Sequence, residues 1–347
     1  MKMTFRWYGE NDKVTLDQIR QIPGMTGIVS AVYDVAPGKL WSVESIARIK
    51  QSANAAGLDF TVVESVPVPE EIKLGGASAD ELIAVYCENV RRLGAAGVDC
   101  VCYNFMPVFD WFRTNLKNEL PEGANGLSYD EKELAKLDPL NGEFSLPGWD
   151  ESYTKKELKE LMERYAAIGE EGLWRNVERF LKAVIPVAHE SGVNMAIHPD
   201  DPPWGIFGLP RIITNEQNIE RFLKIVDMPE NGLTFCTGSL GASEDNDLPK
   251  MAEKFAKRIH FAHLRNIKIT GYREFHEVAH PTDEGSLDMY AIVKGLILGG
   301  FDGYVRPDHG RMIWGETGKG GYGLYDRALG ATYLGGLFEG ISKTLGK

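Results

Sequence analysis

The hydrophobic pattern repeats about eight times along the chain: a short apolar run, polar residues at its end, then an amphipathic stretch. The apolar runs are "MTFRWYG", "GIVSAVYD", "FTVVESV", "CVCYNF", "NMAIHP", "LTFCTGS", "RIHFAHLR" and "GYVRPDH". Most are rich in β-branched or aromatic residues and nearly continuous in apolarity, as strands buried on both faces are. The intervening helices have readable starts. Thr15 with Gln18, Ser78 with Glu81, Thr154 with Glu157 and Thr214 with Gln217 match the capping-box spacing, and Ser286 precedes "LDMYAIVKGLIL". Helix ends are expected at Gly57, at Gly94 or Gly97, at Gly192 and at Gly299.

Eight alternating units with no break in composition predict a single α/β domain over residues 1–347, a closed (β/α)8 TIM barrel. A doubly wound open sheet is the competing architecture. Against it, no G-x-G-x-x-G follows the first strand, and the chemistry-bearing residues end many strands instead of gathering at one switch point. One unit is irregular: residues 107–153 form a long insertion after the fourth strand. Loops of that length are lids, partner surfaces or disordered segments. Phe109, Trp111, Phe112 and Trp149 argue against disorder, which leaves a lid or a dimer contact, and a homodimer is the expected assembly.

Composition narrows the function. With 347 residues, 43% hydrophobic and 25% charged, the chain is ordinarily globular. A net charge of −12 argues against a nucleic-acid partner, because phosphate binding needs clustered Lys and Arg. It leaves room for a small anionic substrate, since one or two local arginines override the average field. The four cysteines (Cys87, Cys100, Cys102, Cys236) form neither a disulfide framework nor a CxxC zinc pair, so a reduced cytoplasm is expected. The N-terminus has no apolar signal region, and no run approaches about 18 apolar residues, so neither export nor a membrane span is expected.

In a barrel, chemistry gathers at the C-terminal ends of the strands. The fifth strand ends at His198, the sixth carries Cys236, the seventh His263 and Arg265, and the eighth Arg306, Asp308 and His309. Side-chain alternation puts Arg306 and Asp308 on one face, with His309 on the other. It pairs His263 with Arg265 against His260, and Cys236 with Thr234 and Gly238, leaving Phe235 to the helical layer. Four successive strands thus offer His198, Cys236, His263 and Asp308 toward one rim, a donor set suited to a divalent transition metal. Sulfur disfavours Mg²⁺ and leaves Mn²⁺, Fe²⁺ or Zn²⁺. Singly, each residue has a plainer reading: Cys236 as core, either histidine as a hydrogen-bonded structural residue, Asp308 as a turn cap. Their coincidence on four adjacent strands is what points to a metal. Cys87, Cys100 and Cys102 read as core, and His189 as a surface residue near a helix C-terminus.

Other polar residues suggest the substrate. Arg306 is placed to fork onto a carboxylate or to pair with Asp308. Arg265, at the same rim, is a second candidate substrate contact. His276 and His280 follow the seventh strand in what reads as a loop over the rim, either touching a polyhydroxyl ligand or simply solvated. Tyr325 follows a glycine cluster and is a candidate acid or hydrogen-bond donor, unless it and Asp326 merely open a helix. In "IHPDDPPWG" the prolines hold the chain leaving His198 on a fixed path, carrying Trp204 over the cavity. Asp200 or Asp201 either orients the His198 ring or caps a turn.

The segments "MTFRWYGENDKVTL", "HPDDPPWGIFGLPRI", "CTGSLGA", "HFAHLRNI", "FHEVAHPTDEGSLDM" and "RPDHG" resemble those of the mannonate dehydratases of hexuronate degradation. The likeness covers essentially the whole chain, with the motifs in order, and is weakest over 107–153. It implies a xylose-isomerase-like barrel, a sugar-acid substrate, and loss of water from D-mannonate to give 2-keto-3-deoxy-D-gluconate. It also implies Mn²⁺ or Fe²⁺ held by His198, Cys236, His263 and Asp308, the four residues that strand position singles out. The chemistry then expected is removal of the C2 hydrogen and departure of the 3-hydroxyl. Arg306 would steady the carboxylate, and His309 and Tyr325 would move protons, with Asp308 as ligand or base. A metal-dependent isomerase or epimerase of the same fold is the alternative. An endonuclease is disfavoured by the acidic charge, and a sugar-acid sensor by the lack of a visible partner module.

Overall fold

A computed structural model describes residues 1–140 and 153–347. The strands, in chain order, are β1 (Lys2–Arg6), β2 (Met25–Ser30), β3 (Asp59–Glu64), β4 (Cys100–Tyr103), β5 (Asn115–Glu119), β6 (Asn125–Asp130), β7 (Asn194–Ile197), β8 (Asn231–Cys236), β9 (Ile259–Leu264), β10 (Ile267–Gly271), β11 (Glu274–Glu277) and β12 (Tyr304–Pro307). Eight of them close a parallel barrel in the order β1-β12-β9-β8-β7-β4-β3-β2. These are the eight apolar runs of the sequence. Helices such as Ala79–Ala95, Lys155–Ser191 and Tyr325–Thr344 surround them. No helix among the described residues is long and apolar enough to cross a membrane.

Compact side chains fill the barrel: Val29, Val62, Cys100, Cys102, Ala196, Phe261 and Tyr304 form a buried cluster of their own. Cys100 and Cys102 are therefore barrel filling, as their alternation implies. Thr234 points into the same interior, where its hydroxyl lies 3.2 Å from the Cys102 sulfur, whereas Phe235 joins the outer core. The two-residue period of a strand decides both placements.

Helix starts follow the sequence signals unevenly. Thr15 and Thr154 close full capping boxes. Ser78 makes no capping hydrogen bond, because its backbone (φ −92, ψ 7) lacks the extended conformation a cap needs. Elsewhere the cap lies one or two residues on: Asn215, not Thr214, accepts from Asn218, and Asp288, not Ser286, accepts from Ala291.

The 107–153 insertion is built in part by pairing with a second loop. Strands β5 and β6 join β10 and β11 in a four-stranded antiparallel sheet, ordered β10-β11-β6-β5. The sheet sits on the barrel rim: Tyr129 of β6 packs edge-on to Trp204 at 5.5 Å, and Asn125 exchanges backbone hydrogen bonds with Met312. Trp149 and the rest of 141–152 lie outside the described residues.

Candidate metal centre and active site

Strand register sets the site. Cys236 of β8, His263 of β9 and Arg306 of β12 are direct neighbours across their ladders, so three strands deliver their side chains at one level. His198, one residue past β7, comes alongside with its ring 5.0 Å from that of His263. The ligand atoms of His198, Cys236 and His263 lie within 4.8 Å of one another. Asp308 borders the group, its Oδ2 3.5 Å from the Cys236 sulfur and its Oδ1 3.8 Å from His263 Nδ1.

The charges around this group are closely balanced. Arg265 pairs with Asp308 (2.8 Å), with Asp201 (2.9 Å) and with Glu277. A Cβ at position 238 would lie 2.2 Å from Arg265 Nε, so the guanidinium crosses there because Gly238 has no side chain. Arg306 pairs with Asp308 (2.7 Å) and with Glu64 (3.1 Å), while its Nε and Nη1 have no hydrogen-bond partner among the described residues. Burial alone would raise Asp308, but Arg306, His309 and Arg265 hold it well below the usual carboxylate range. Burial and the Asp308 charge push the Cys236 thiol up, yet Arg265 and His198 outweigh them and bring it down to about 5. A thiolate therefore stands ready as a donor.

The donor set fits a soft-to-borderline divalent cation. The Nε2 of His263 is buried without a hydrogen-bond partner among the described residues, a costly arrangement that a cation relieves, whereas Glu64 Oε2 and Asp308 Oδ1 already face Arg6 and Arg306 at 3.0 and 2.7 Å. A second group, Glu64, Cys102 and His263, overlaps the first. It is the poorer cage: Glu64 is already engaged by Arg6 and Arg306, and burial drives the Cys102 thiol well up.

The group opens on a cavity of about 360 Å³ whose walls include Arg6, Glu64, Asp110, Trp111, His198, Arg306, Asp308, His309, Lys319 and Tyr322. His309 joins Arg306 and Asp308 there instead of facing away. Strand β12 stops at Pro307, so alternation no longer governs residue 309. His309 is held at both ends, its Nδ1 2.7 Å from Glu277 and its Nε2 2.9 Å from the Tyr322 hydroxyl. Burial raises the Tyr322 phenol, which keeps its proton at neutral pH.

Four expectations need correcting. Tyr325 opens the last helix and lines an outer cleft, 42% exposed and 5.6 Å from the Trp314 ring; Tyr322, three residues earlier, is the tyrosine in the cavity. Trp204 does not hang over the cavity. Its ring is buried against Tyr129 and Phe275 and its Nε1 donates to the Tyr129 hydroxyl at 3.1 Å, because the accessory sheet offers an apolar face there. His276 lines a groove on that sheet with Thr114 and Ser128, since alternation along β11 turns Glu277, not His276, inward. His280 is buried against Gly330 with neither ring nitrogen hydrogen-bonded among the described residues, so it is not a solvated loop histidine. Arg265 is buried beneath the site in the ion pairs already given.

Neither aspartate of "HPDDPP" orients His198, whose Nδ1 faces the carbonyl of Pro199 at 2.7 Å. Asp200 instead accepts the backbone N–H groups of Ile212 and Ile213, and Asp201 binds Arg113 and Arg265. Sequence reasoning missed Glu64, Arg113, Glu277 and Tyr322. Only Glu64 carried a usable signal, an acid at the C-terminal end of a barrel strand.

A family model described as D-mannonate dehydratase (UxuA) matches residues 1–347. The chain is 55% identical over 345 residues to the mannonate dehydratase of Streptococcus agalactiae serotype Ia, covering 99% of each. The crystal structure of mannonate dehydratase from Streptococcus suis serotype 2 matches with a TM-score of 0.93 at 50% identity, over 100% of this chain and 96% of that one. A D-psicose 3-epimerase from Clostridium cellulolyticum H10 matches at a TM-score of 0.55 and 15% identity, over 99% of this chain and 98% of that one, a likeness of fold alone.

Proposed function

The chain belongs to the mannonate dehydratase family, and from that premise we propose how its own residues divide the work. The enzyme removes water from D-mannonate to give 2-keto-3-deoxy-D-gluconate. One observation carries the assignment of roles: a three-donor cluster lies beside a buried arginine with two unpartnered nitrogens, and a tethered His–Tyr pair lines the same cavity. His198, Cys236 and His263 would hold Mn²⁺ or Fe²⁺, with Asp308 as fourth ligand. The bound ion supplies Lewis-acid stabilisation of charge developing next to the substrate carboxylate.

Arg306 offers its free Nη1 to that carboxylate while Glu64 and Asp308 hold Nη2, so the guanidinium is pre-oriented. Glu277, held below the usual carboxylate range against its burial by His309 and Arg265, is an acceptor for the His309 Nδ1 proton. That leaves the His309 Nε2 lone pair, which accepts the Tyr322 hydroxyl at 2.9 Å until substrate parts the two, to take the C2 hydrogen. Tyr322, still protonated, gives its proton to the departing 3-hydroxyl, which leaves as water. The resulting enol becomes the 2-keto acid by protonation at C3. Trp111, 5.8 Å from the His309 ring, brings the insertion to the cavity wall and supports a covering role for residues 107–140.

Metal-reconstituted enzyme assayed on a panel of aldonic acids for 2-keto-3-deoxy acid formation tests the reading, with turnover of mannonate expected. Silence on mannonate with either ion, together with turnover of an aldose, would shift the assignment to an isomerase. Proton roles separate in D₂O: Tyr322→Phe should exchange the C2 hydrogen without eliminating, and His309→Asn should do neither.

A further inference from the structure

Tyr8, Lys319 and Tyr322 line both the inner cavity and an outer cleft of about 850 Å³, so the two spaces meet at these three side chains. The arginines lining the inner cavity are already matched by carboxylates, Arg6 by Glu64 at 3.0 Å and Arg306 by Glu64 and Asp308. Lys319 is not. Among the described residues no carboxylate stands within ion-pair distance of its ammonium, which lies 4.2 Å from the centre of the Tyr8 ring and 5.0 Å from that of Tyr322. Desolvation, and then the charge of Arg6, brings it down to about 8 against the weaker opposing pull of Glu64 and Asp12. The loop that carries it turns through Gly318 (φ 153) and Gly321 (φ 80), backbone that only glycine adopts without strain.

An unpaired cation at this junction has a physical task. The chain carries a net charge of −12, so an aldonate approaching the rim meets a repulsive average field. A local positive group at a cleft mouth reverses that field and raises the encounter rate. The two tyrosine faces hold the ammonium in position by cation–π attraction, which is weak enough to yield to an anion.

We propose that Lys319 is the capture residue of this enzyme, meeting the substrate carboxylate at the junction and passing it inward to Arg306. Selection for an acid over a neutral polyol thus begins before the metal is reached. The proposal rests on the mannonate reading above. It is tested with Lys319→Met and Lys319→Arg in the full-length, metal-reconstituted enzyme. KM for mannonate should rise about tenfold in the methionine variant, equivalent to about 1.4 kcal/mol, with kcat within about twofold of wild type. Wild-type kcat/KM should fall as salt screens the charge, the methionine variant should show a flatter response, and arginine should restore the slope. An unchanged KM, an equal salt slope, or a loss of kcat at constant KM would overturn the capture role. Stopped-flow association of D-gluconate needs no turnover. If wild type fails on mannonate yet Lys319→Met still slows gluconate association about tenfold, capture stands and the substrate reading falls. Equal association rates in both proteins remove the proposal.

Discussion

Glu277→Gln is the most informative single change, because three N–H groups converge on one oxygen of that side chain. Oε1 faces Arg113 Nη2 at 3.3 Å, His309 Nδ1 at 2.7 Å, and Arg265 Nη1. Glutamine keeps the shape and the oxygen but removes the charge. Hydrogen bonds to charged groups contribute about 1.5–3 kcal/mol each and neutral ones about 0.5–1.5, so each contact weakens by about 1 kcal/mol and the three together by about 3. Unfolding entropy of about 2.1 cal/mol/K per residue over 347 residues converts that to a Tm about 4 °C lower. The same change weakens the acceptor for the His309 Nδ1 proton, so kcat should fall about 10²-fold, the lower end of what positioned proton transfer contributes. Differential scanning calorimetry and steady-state turnover of the metal-loaded enzyme measure both. A variant that melts with wild type and turns over at its rate would refute the network as drawn. A lower Tm with full kcat would keep the ion pairs and discard the orienting role.

Three further outcomes are expected. Cys236→Ala should lose bound metal and activity together, read by elemental analysis alongside turnover; full metal stoichiometry with full activity would remove Cys236 from the site. Tyr322→Phe should keep its metal but lose about 10²-fold in kcat, whereas Tyr325→Phe should stay within about twofold; the reverse order would restore the tyrosine first expected from sequence. His260 is depressed to about 4, chiefly by burial, so the unfolded chain takes up a proton that the fold refuses. Its contribution is full above about pH 6.5 and is lost as pH falls toward 4, at most about 3 kcal/mol. His260→Gln should therefore narrow the Tm gap between neutral and acidic buffer, and an unchanged gap would show that other groups set the acid limb.

The parts legible in sequence follow one-dimensional rules. The eight strands announce themselves because burial on both faces demands unbroken apolar runs, and the strand ends then name His198, Cys236 and His263 without reference to packing. Side chains beyond a strand's last residue escape that rule, which is why His309, two residues past β12, faces the cavity against the alternation. Tyr322 and Tyr325 are chemically identical and three residues apart, and no local signal tells which one enters the cavity, a choice made by the path of the glycine-rich turn before them. Arg113 and Glu277 become partners through pairing of β6 with β11, about 150 residues apart in the chain, and no local signal records such a pairing. Glu64 is one acid among 50, distinguished only by ending a barrel strand. His280 and Trp204 are buried for a related reason: long loops that look solvated from their composition are covered by other segments of the chain.

The sheet woven from two separate loops bears on how this scaffold can be re-engineered. Barrel loops are usually treated as independent cassettes, exchanged one at a time to alter what an enzyme accepts. Here the segments around 113–130 and 267–277 share hydrogen bonds and jointly cradle the histidine of the cavity. Replacing 267–277 alone would remove the carboxylate that holds His309, and replacing 113–130 alone would remove one of that carboxylate's cationic partners, so the unit of transplantation is the pair.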